Sequence, residues 1–176
     1  MQDQLEKFIW KGGTYGGKTV KGIADIAKTE GIKTQLQADT AVTYEDIKNL
    51  YLSLPSEVQA ADDVVIFVGY AAYNQIIQDI LSASHYHLDV TNIEDGVVLP
   101  GTRAKVIPTQ GLDNASVKAV AGRASNFYFG TDMRGDEELF DLWYSQDNRE
   151  FRLAIEFTAG TQIAFPKEVA VLVTKA

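Results

Sequence analysis

The most regular alternation of apolar and polar residues lies in the last third of the chain. From residue 151 to residue 158 every second position is apolar: Phe151, Leu153, Ile155 and Phe157 alternate with Arg152, Ala154, Glu156 and Thr158. A period of two is typical of a strand with one buried face. Asp147-Asn148 favours a turn just before this strand, and the segment from Leu139 to Tyr144 is apolar enough to pair back across it. The pattern therefore predicts a β-hairpin over about residues 139–165.

The predicted strand is unusually long. The alternation continues past a bend at Gly160 to Phe165, where Pro166 ends it. Counted from Glu150 to Phe165, the strand would hold roughly 16 residues and reach ~53 Å. A compact body of 176 residues is only roughly 40 Å across. We therefore expect part of the hairpin to project, and its apolar face to need another molecule to cover it.

Helical patterns dominate the first half of the chain. Residues 2–10 are predicted to form the end of a helix that stops at Gly12-Gly13, and Gly12 to Gly17 is predicted to be a loop. A weak helical stripe then ends at Gly31; its residues are Val20, Ile23, Ile26 and Ala27. Thr43 and Asp46 have the spacing of a capping box and predict a helix closed by Pro55, with four inward residues: Ile47, Leu50, Tyr51 and Leu54.

A buried strand and mostly short strands follow. The continuous apolar run from Val64 to Val68 predicts a strand buried on both faces, and Tyr73, Ile76 and Ile80 then recur at helical spacing. Further strands are predicted at 86–90, 97–98, 103–107 and 126–129, and at the end of the chain over Val169, Val171 and Val173. Early helices followed by mostly antiparallel strands are typical of the α+β class. With 45% hydrophobic and 23% charged residues, the chain is expected to form one domain.

Charge and composition exclude several classes of function. A net charge of -8 disfavours nonspecific binding to nucleic acid, which depends on clustered Lys and Arg. The absence of cysteine excludes a disulfide framework and a thiolate zinc site. The longest apolar run, Val64 to Tyr73, is about half of the ~20 residues that cross a bilayer, so no membrane span is expected.

One motif suggests a nucleotide-binding alternative. Four residues match the phosphate-binding pattern G-x-x-x-x-G-K-[ST]: Gly12, Gly17, Lys18 and Thr19. Such a loop needs a buried strand before it, a well-formed helix after it, and an acidic residue at a strand end to hold magnesium. The neighbouring segments lack this context, and a glycine-rich turn produces the match easily. A flexible turn is the preferred interpretation.

No other group of residues predicts enzyme chemistry. His85 and His87 would supply only two of the three or four ligands that zinc needs. The acidic group at 132–141 lacks the spacing of a calcium loop and is interpreted as a solvated face. Without cysteine or a G-x-S-x-G serine, there is no candidate nucleophile. We therefore predict a protein that is not an enzyme, with no catalytic, metal-binding or cofactor-binding residue and no cofactor.

The order of these segments resembles the major capsid (coat) proteins of tailed bacteriophages, whose fold is shared with encapsulin shells. Residues 1–23 are similar to the end of the family's spine helix and its glycine loop, and 43–55 with 62–80 to its helix, buried strand and second helix. Residues 99–109, 124–132 and 141–174 are similar to its axial and long peripheral strands. The family's N-terminal arm, extended loop and most of the spine helix have no counterpart here.

The resemblance implies a capsid-like fold of helices packed on a mixed sheet, in a single domain. Its body would comprise about residues 1–138 and 166–176, and the peripheral hairpin about 139–165. The function implied is that of a viral structural protein that builds an icosahedral head from pentamers and hexamers of identical subunits. It would be assembled in the bacterial host cytoplasm, possess no sequence-specific nucleic-acid contact and become part of the virion. A bacterial encapsulin-type compartment is a second alternative.

The hairpin carries the residues expected to contact neighbouring subunits. Both signs of charge occur within eight positions, and four residues are predicted to lie at the contact: Arg149, Glu150, Arg152 and Glu156. Arg152 and Glu156 would share the face opposite to Phe151.

Overall fold

A computed structural model gives the structure of residues 2–15, 17–35, 41–82, 96–113, 116–131, 140–155 and 159–174. The α-helices of these residues are α1 (Gln2–Lys11), α2 (Ile23–Glu30), α3 (Tyr44–Leu52), α4 (Ser56–Gln59) and α5 (Tyr70–Ser82). The strands are β1 (Gly12–Tyr15), β2 (Lys18–Lys21), β3 (Ile32–Gln35), β4 (Val64–Gly69), β5 (Val97–Val98), β6 (Lys105–Thr109), β7 (Val117–Arg123), β8 (Phe127–Thr131), β9 (Phe140–Ser145), β10 (Glu150–Ile155), β11 (Ala159–Ile163) and β12 (Ala170–Val173).

A six-stranded mixed sheet forms the centre of the described structure. Its strand order is β3-β12-β7-β4-β6-β5. The pairs β3/β12 and β4/β6 are parallel, whereas β12/β7, β7/β4 and β6/β5 are antiparallel. Three further antiparallel pairs lie outside this sheet: β1/β2, β8/β11 and β9/β10. Helices and sheets are thus combined as α+β, the predicted fold class.

Two apolar cores cover the two faces of the sheet. On one face, residues of α3 and α5, including Ile47, Leu50 and Ile76, pack on alternate residues of β4 and β12. On the other face, Trp10 of α1 and Ile26 of α2 pack on the intervening residues. Because both faces are covered, the central strands have the continuous apolar sequences that such burial requires.

Local signals predicted three elements of this architecture correctly. The capping box is present: the Asp46 amide donates to the Thr43 side chain, and the Thr43 amide donates to the Asp46 carboxylate at 3.0 Å. All four residues predicted to face inward from α3 and its end are buried: Ile47, Leu50, Tyr51 and Leu54. The buried strand β4 and the amphipathic helix α5 also occur where they were predicted.

The glycine segment was predicted wrongly. Residues 12–15 and 18–21 form the antiparallel pair β1/β2 and not a loop followed by a helix, and Val20 pairs with Gly13 in it. Gly12 and Gly17 have φ values of 68° and 78°, the left-handed conformation that glycine adopts without a steric penalty and that permits sharp reversals. The helical stripe begins only at Ile23, after Gly22 at the N-cap of α2.

The strands differ from the predictions in extent. β3 and β7 were not predicted, and β6 begins at Lys105 and not at Arg103. The segment from Glu150 to Phe165 forms two strands, β10 and β11, and not one strand throughout; the residues between them, 156–158, lie outside the described part. The strand predicted at 86–90 also falls outside it.

Candidate functional site: the exposed strand pairs

The predicted hairpin is confirmed as the antiparallel pair β9/β10. Glu150 pairs with Ser145 next to the turn, Phe151 pairs with Tyr144, and the register continues to Ile155 opposite Phe140. Residues that are directly opposite in an antiparallel pair present their side chains on the same face. The alternation in β10 therefore meets a matching alternation in β9.

One face of this hairpin is apolar and exposed. Leu142, Tyr144 and Phe151 form an apolar strip, in which the rings of Tyr144 and Phe151 have centroids 5.2 Å apart. Their exposed fractions are 64%, 50% and 77%. A strand face with this composition is normally buried against a core, so the strip lacks a covering surface within the described residues.

The other face is polar apart from Trp143. Arg152 lies opposite Trp143 in the register. Its guanidinium donates through both Nε and Nη2 to Oε1 of Glu150, each at 2.8 Å. All three side chains are exposed, so this ion pair is solvent-screened and worth ~0 to 1 kcal/mol.

The turn between the two strands contains an unusual backbone conformation. Residues 146–149 connect β9 to β10, and Arg149 has a φ of 53°. Asn or Gly adopts this left-handed conformation more readily than Arg does. The turn was predicted from Asp147-Asn148, but the sequence contains no signal that Arg149 would be its left-handed residue.

The structure brings together three of the four predicted contact residues. Arg149, Glu150 and Arg152 are consecutive or alternate residues at the turn end of β10, and all are exposed. Glu156 lies outside the described residues, so the grouping of Arg152 with Glu156 stays a prediction. The described partner of Arg152 is Glu150.

A second strand pair flanks the hairpin along the chain, with β8 before it and β11 after it. β8 pairs with β11 from Phe127 opposite Ile163 to Thr131 opposite Ala159. This pair is attached to the body, because Ile163 is buried in the core under α1 and α2 and the Thr161 hydroxyl donates to the Lys21 carbonyl at 2.8 Å. Its exposed aromatic residues are Tyr128, Phe129 and Phe165.

Asn126 fixes the end of this second strand pair. Its buried side-chain amide donates to the Phe165 carbonyl at 2.9 Å and accepts from the Phe165 amide at 2.7 Å. The Ala164 amide donates to the Asn126 carbonyl at 3.1 Å. One buried residue thus satisfies the backbone where β11 ends, a role that sequence reasoning did not detect.

The glycine motif does not form a phosphate-binding loop. Lys18 lies in β2 and pairs with Tyr15, and the Thr19 hydroxyl is hydrogen-bonded to the Thr14 hydroxyl at 3.0 Å. A phosphate loop passes directly from its Lys and Thr into a helix, whose first amides face the ligand. In this chain Thr19 continues in a strand to Lys21. The geometry that the nucleotide-binding alternative requires is therefore absent from the described part of residues 12–21.

Asp63 is a partly buried carboxylate that accepts several hydrogen bonds. It accepts from the Ser125 hydroxyl at 2.6 Å and from Arg123 Nε at 3.1 Å. The Ser125 hydroxyl hydrogen bond holds the pKa of Asp63 below its usual value; desolvation opposes it, and the hydrogen bond from Arg123 adds to the lowering. This network joins the start of β4 to the end of β7, and its role is structural.

Other candidate chemistry is not supported where the structure describes the chain. His85, His87 and the acidic residues of 132–138 lie outside that part. Within the described residues, no group of three or more His, Asp or Glu is arranged to hold a metal ion. No helix among them is both long and apolar enough to cross a membrane.

Comparison with known proteins identifies the fold. No family model and no curated protein sequence matches the chain. Solved structures match it at low identity. A chain of Mycobacterium phage Che8 is 16% identical with a TM-score of 0.50, covering 85% of this chain and 56% of that one. The capsid of an empty GTA particle is 12% identical with a TM-score of 0.57, covering 98% and 67%. The holo-SrpI encapsulin complex from Synechococcus elongatus PCC 7942 is 11% identical with a TM-score of 0.57, covering 97% and 60%.

These likenesses define architecture and not activity. The chain spans only 56% to 67% of the length of these three structures. Its fold is the α+β fold of phage-type capsids and encapsulin shells, as the segment order implied.

Proposed function

We propose that this chain is a major capsid (coat) subunit, or part of one, that self-associates into an icosahedral bacteriophage head. The shared fold supports a shell protein, because the similar structures include a GTA capsid and an encapsulin complex. In this proposal the chain forms pentamers and hexamers of identical subunits, assembles in the host cytoplasm and becomes part of the virion. Contacts repeated by symmetry between identical subunits produce a closed assembly without enzyme chemistry.

The exposed apolar strip carries the proposal. Fully burying a Leu or Phe side chain stabilises a protein by ~1.5 to 3 kcal/mol. Leu142, Tyr144 and Phe151 remain at least half exposed in the single chain. On the order of several kcal/mol therefore becomes available when a neighbouring subunit covers them. Aromatic residues that exclude water are also the typical centres of protein interfaces.

The charged face of the hairpin would set the alignment of the neighbours. Arg149, Glu150, Arg152 and Glu156 are the proposed contact residues on this side. An exposed ion pair contributes little to the fold of one subunit, but like charges placed face to face at an interface cost several kcal/mol. A closed shell repeats this cost at every symmetry-related contact.

Arg152→Glu tests the proposal. The variant removes the ion pair with Glu150 and places two carboxylates side by side. We expect nearly unchanged thermal unfolding of the subunit and the loss of particles in electron micrographs. Lys48→Glu is the matched control, since it makes the same charge change and removes an exposed ion pair with Glu45 in α3. The control should still assemble.

Three results would contradict the proposal. They are normal particles from Arg152→Glu, loss of particles from both variants, or no association of the unaltered chain in analytical ultracentrifugation. A variant that no longer folds would show that Arg152 serves the subunit itself and not a neighbour.

An encapsulin-type compartment is the second candidate, because the encapsulin and the GTA capsid have the same TM-score of 0.57. The contents of purified particles distinguish the two. A phage head would contain nucleic acid, whereas a compartment would contain protein cargo.

A further inference from the structure

Positive charge is concentrated in the first part of the chain. Residues 1–33 contain six lysines and four carboxylates, a net charge of +2, in a chain whose net charge is -8. Residues 34–176 consequently carry -10. The acidic total therefore conceals a basic segment, which forms α1, β1, β2, α2 and the start of β3.

This segment covers one face of the central sheet. α1 and α2 pack on the core that contains Trp10, Ile26 and Val171. Lys33 pairs in register with Val171, so it belongs to the same face. We refer to Lys33 and four lysines of α1, β2 and α2 together as the lysine face: Lys7, Lys11, Lys21, Lys28 and Lys33. All five are exposed.

None of the five lysines of the lysine face forms an ion pair with a carboxylate of the described residues. The Lys11 ammonium donates to the Asp113 backbone carbonyl at 3.1 Å, and the Lys28 ammonium donates to the Ser116 hydroxyl at 3.2 Å. Both acceptors are neutral. The ion pairs in the described structure lie elsewhere: Lys48–Glu45, Arg103–Asp62, Arg123–Asp63 and Arg152–Glu150. Three carboxylates, Glu6, Asp25 and Glu30, lie on the same two helices, so this part of the surface carries the modest net charge of +2 that was counted for residues 1–33.

The lysine face also lacks the apolar residues of a protein interface. The large exposed apolar side chains of the described structure begin at Leu52 and are most numerous from Tyr128 to Phe165. Protein interfaces are enriched in aromatic residues at their centres and depleted in Lys. Contacts to a phosphate backbone have the opposite composition, because they depend on Lys and Arg and need no apolar centre.

We propose that the lysine face binds the phosphodiester backbone of double-stranded nucleic acid without sequence preference. The placement of this face toward the interior of a shell rests on the proposed function; the binding itself does not. On the opposite face of the sheet, α3, α4 and α5 hold four carboxylates and one lysine: Glu45, Asp46, Glu57, Asp79 and Lys48. A shell with the acidic helices outside and the lysine face inside would avoid repelling its contents.

The affinity of one chain should be weak. Nonspecific contacts of this kind have dissociation constants of about 10⁻⁴ to 10⁻⁶ M at physiological salt. In a shell the subunits would act together on one polymer, and such multivalency multiplies the affinity.

Fluorescence anisotropy with a labelled DNA duplex at low salt tests the proposal. Lys7→Gln/Lys28→Gln/Lys33→Gln removes three charges from the lysine face, and Lys48→Gln/Arg103→Gln/Lys105→Gln removes three exposed charges elsewhere. We expect the first variant to lose at least about tenfold in affinity and its slope of log K against log salt to fall by about 2 to 3. The control should lose much less affinity, because its removed charges lie outside the lysine face. Both variants have the same net charge, so a difference between them reports the location of the charges.

Equal losses of DNA affinity in the two variants would show that only the net charge matters and would overturn the proposal. The absence of DNA binding by the unaltered chain would overturn it too. Electron microscopy separates this test from that of the shell, since the lysine variant retains the apolar strip and should still form particles. DNA binding without particles from the unaltered chain would defeat the shell proposal and leave this one standing. If the lysine variant loses self-association but binds DNA as before, the proposal is wrong, and the partner of the lysine face is the acidic surface of a second copy of this chain.

Discussion

Tyr73 illustrates how a single polar atom affects this core. The residue lies on the buried face of α5, and its hydroxyl has no hydrogen-bond partner among the described residues. Burial raises the pKa of Tyr73 above its usual value. An unpaired buried hydroxyl costs about 1 to 3 kcal/mol, because it gives up its hydrogen bonds to water.

We expect Tyr73→Phe to unfold at equal or higher urea concentration than the unaltered protein at pH 7. Tyr51→Phe is the control: the Tyr51 hydroxyl donates to the Gln59 carbonyl at 3.1 Å, so its removal should destabilise the protein by about 1 kcal/mol.

The pH dependence of stability supplies a second test. Because burial raises the pKa of Tyr73 in the folded state, deprotonation favours the unfolded chain; the stability is unaffected below the unfolded pKa of about 10 and declines as pH rises toward the folded value. Tyr73→Phe should lose this alkaline decline, and a larger loss of stability at pH 7 than in Tyr51→Phe would contradict the reasoning.

At the residue scale, prediction from sequence succeeded where the determinant is local. The capping box of Thr43 and Asp46 depends on residues three positions apart, and both were recognised. Asn126 and Arg149 were missed as structural determinants. The amide of Asn126 acts on Phe165, 39 positions away, and the φ of Arg149 is set by the closure of the hairpin.

The contact between α1 and the sheet depends on the fit of two residues. Trp10 of α1 packs against Phe67 of β4, with ring centroids 4.8 Å apart, and lies directly over Gly111. A Cβ atom on Gly111 would overlap the Trp10 side chain. The Glu6 carboxylate strengthens this contact, since it accepts from the Gln110 amide at 2.7 Å.

We expect Gly111→Ala to destabilise the protein by about 1 to 3 kcal/mol, the usual cost of overpacking a filled site. Gly130→Ala is the matched control, because a Cβ there would meet no atom within 4 Å. Alanine also replaces the more flexible glycine, so the control should be neutral or slightly stabilising. Denaturant unfolding of both variants measures the difference. Equal effects would show that Trp10 moves without penalty.

Element prediction failed where pairing determines the strand. β7 has the sequence VKAVAGR, whose small residues have weak strand propensity. It forms a strand because β4 and β12 pair with it on its two sides. Likewise, the alternation from Glu150 to Phe165 showed where strand structure occurs, but not that β10 and β11 would have different partners. Those partners lie in distant segments that periodicity does not identify.

For the whole molecule, we expect the chain to be more extended than a compact protein of its length. The apolar strip is exposed, and β9 and β10 pair chiefly with each other among the described elements. Small-angle scattering of the monomer should give a radius of gyration clearly above the compact value of roughly 16 Å. A value near 16 Å would show that the hairpin folds back on the body.

The position of β12 has a consequence for how the protein is made. β12 lies between β3 and β7, yet Ala170 pairs with Ile32, a residue synthesised 138 positions earlier. During translation β3 can therefore acquire its only strand partner in the described sheet after nearly the whole of this sequence has left the ribosome. Such distant pairing makes folding slow, and it leaves one edge of β7 unpaired in the growing chain until β12 is synthesised. Nascent chains on one messenger would consequently be unable to associate as folded subunits before the segment that contains β12 has been synthesised.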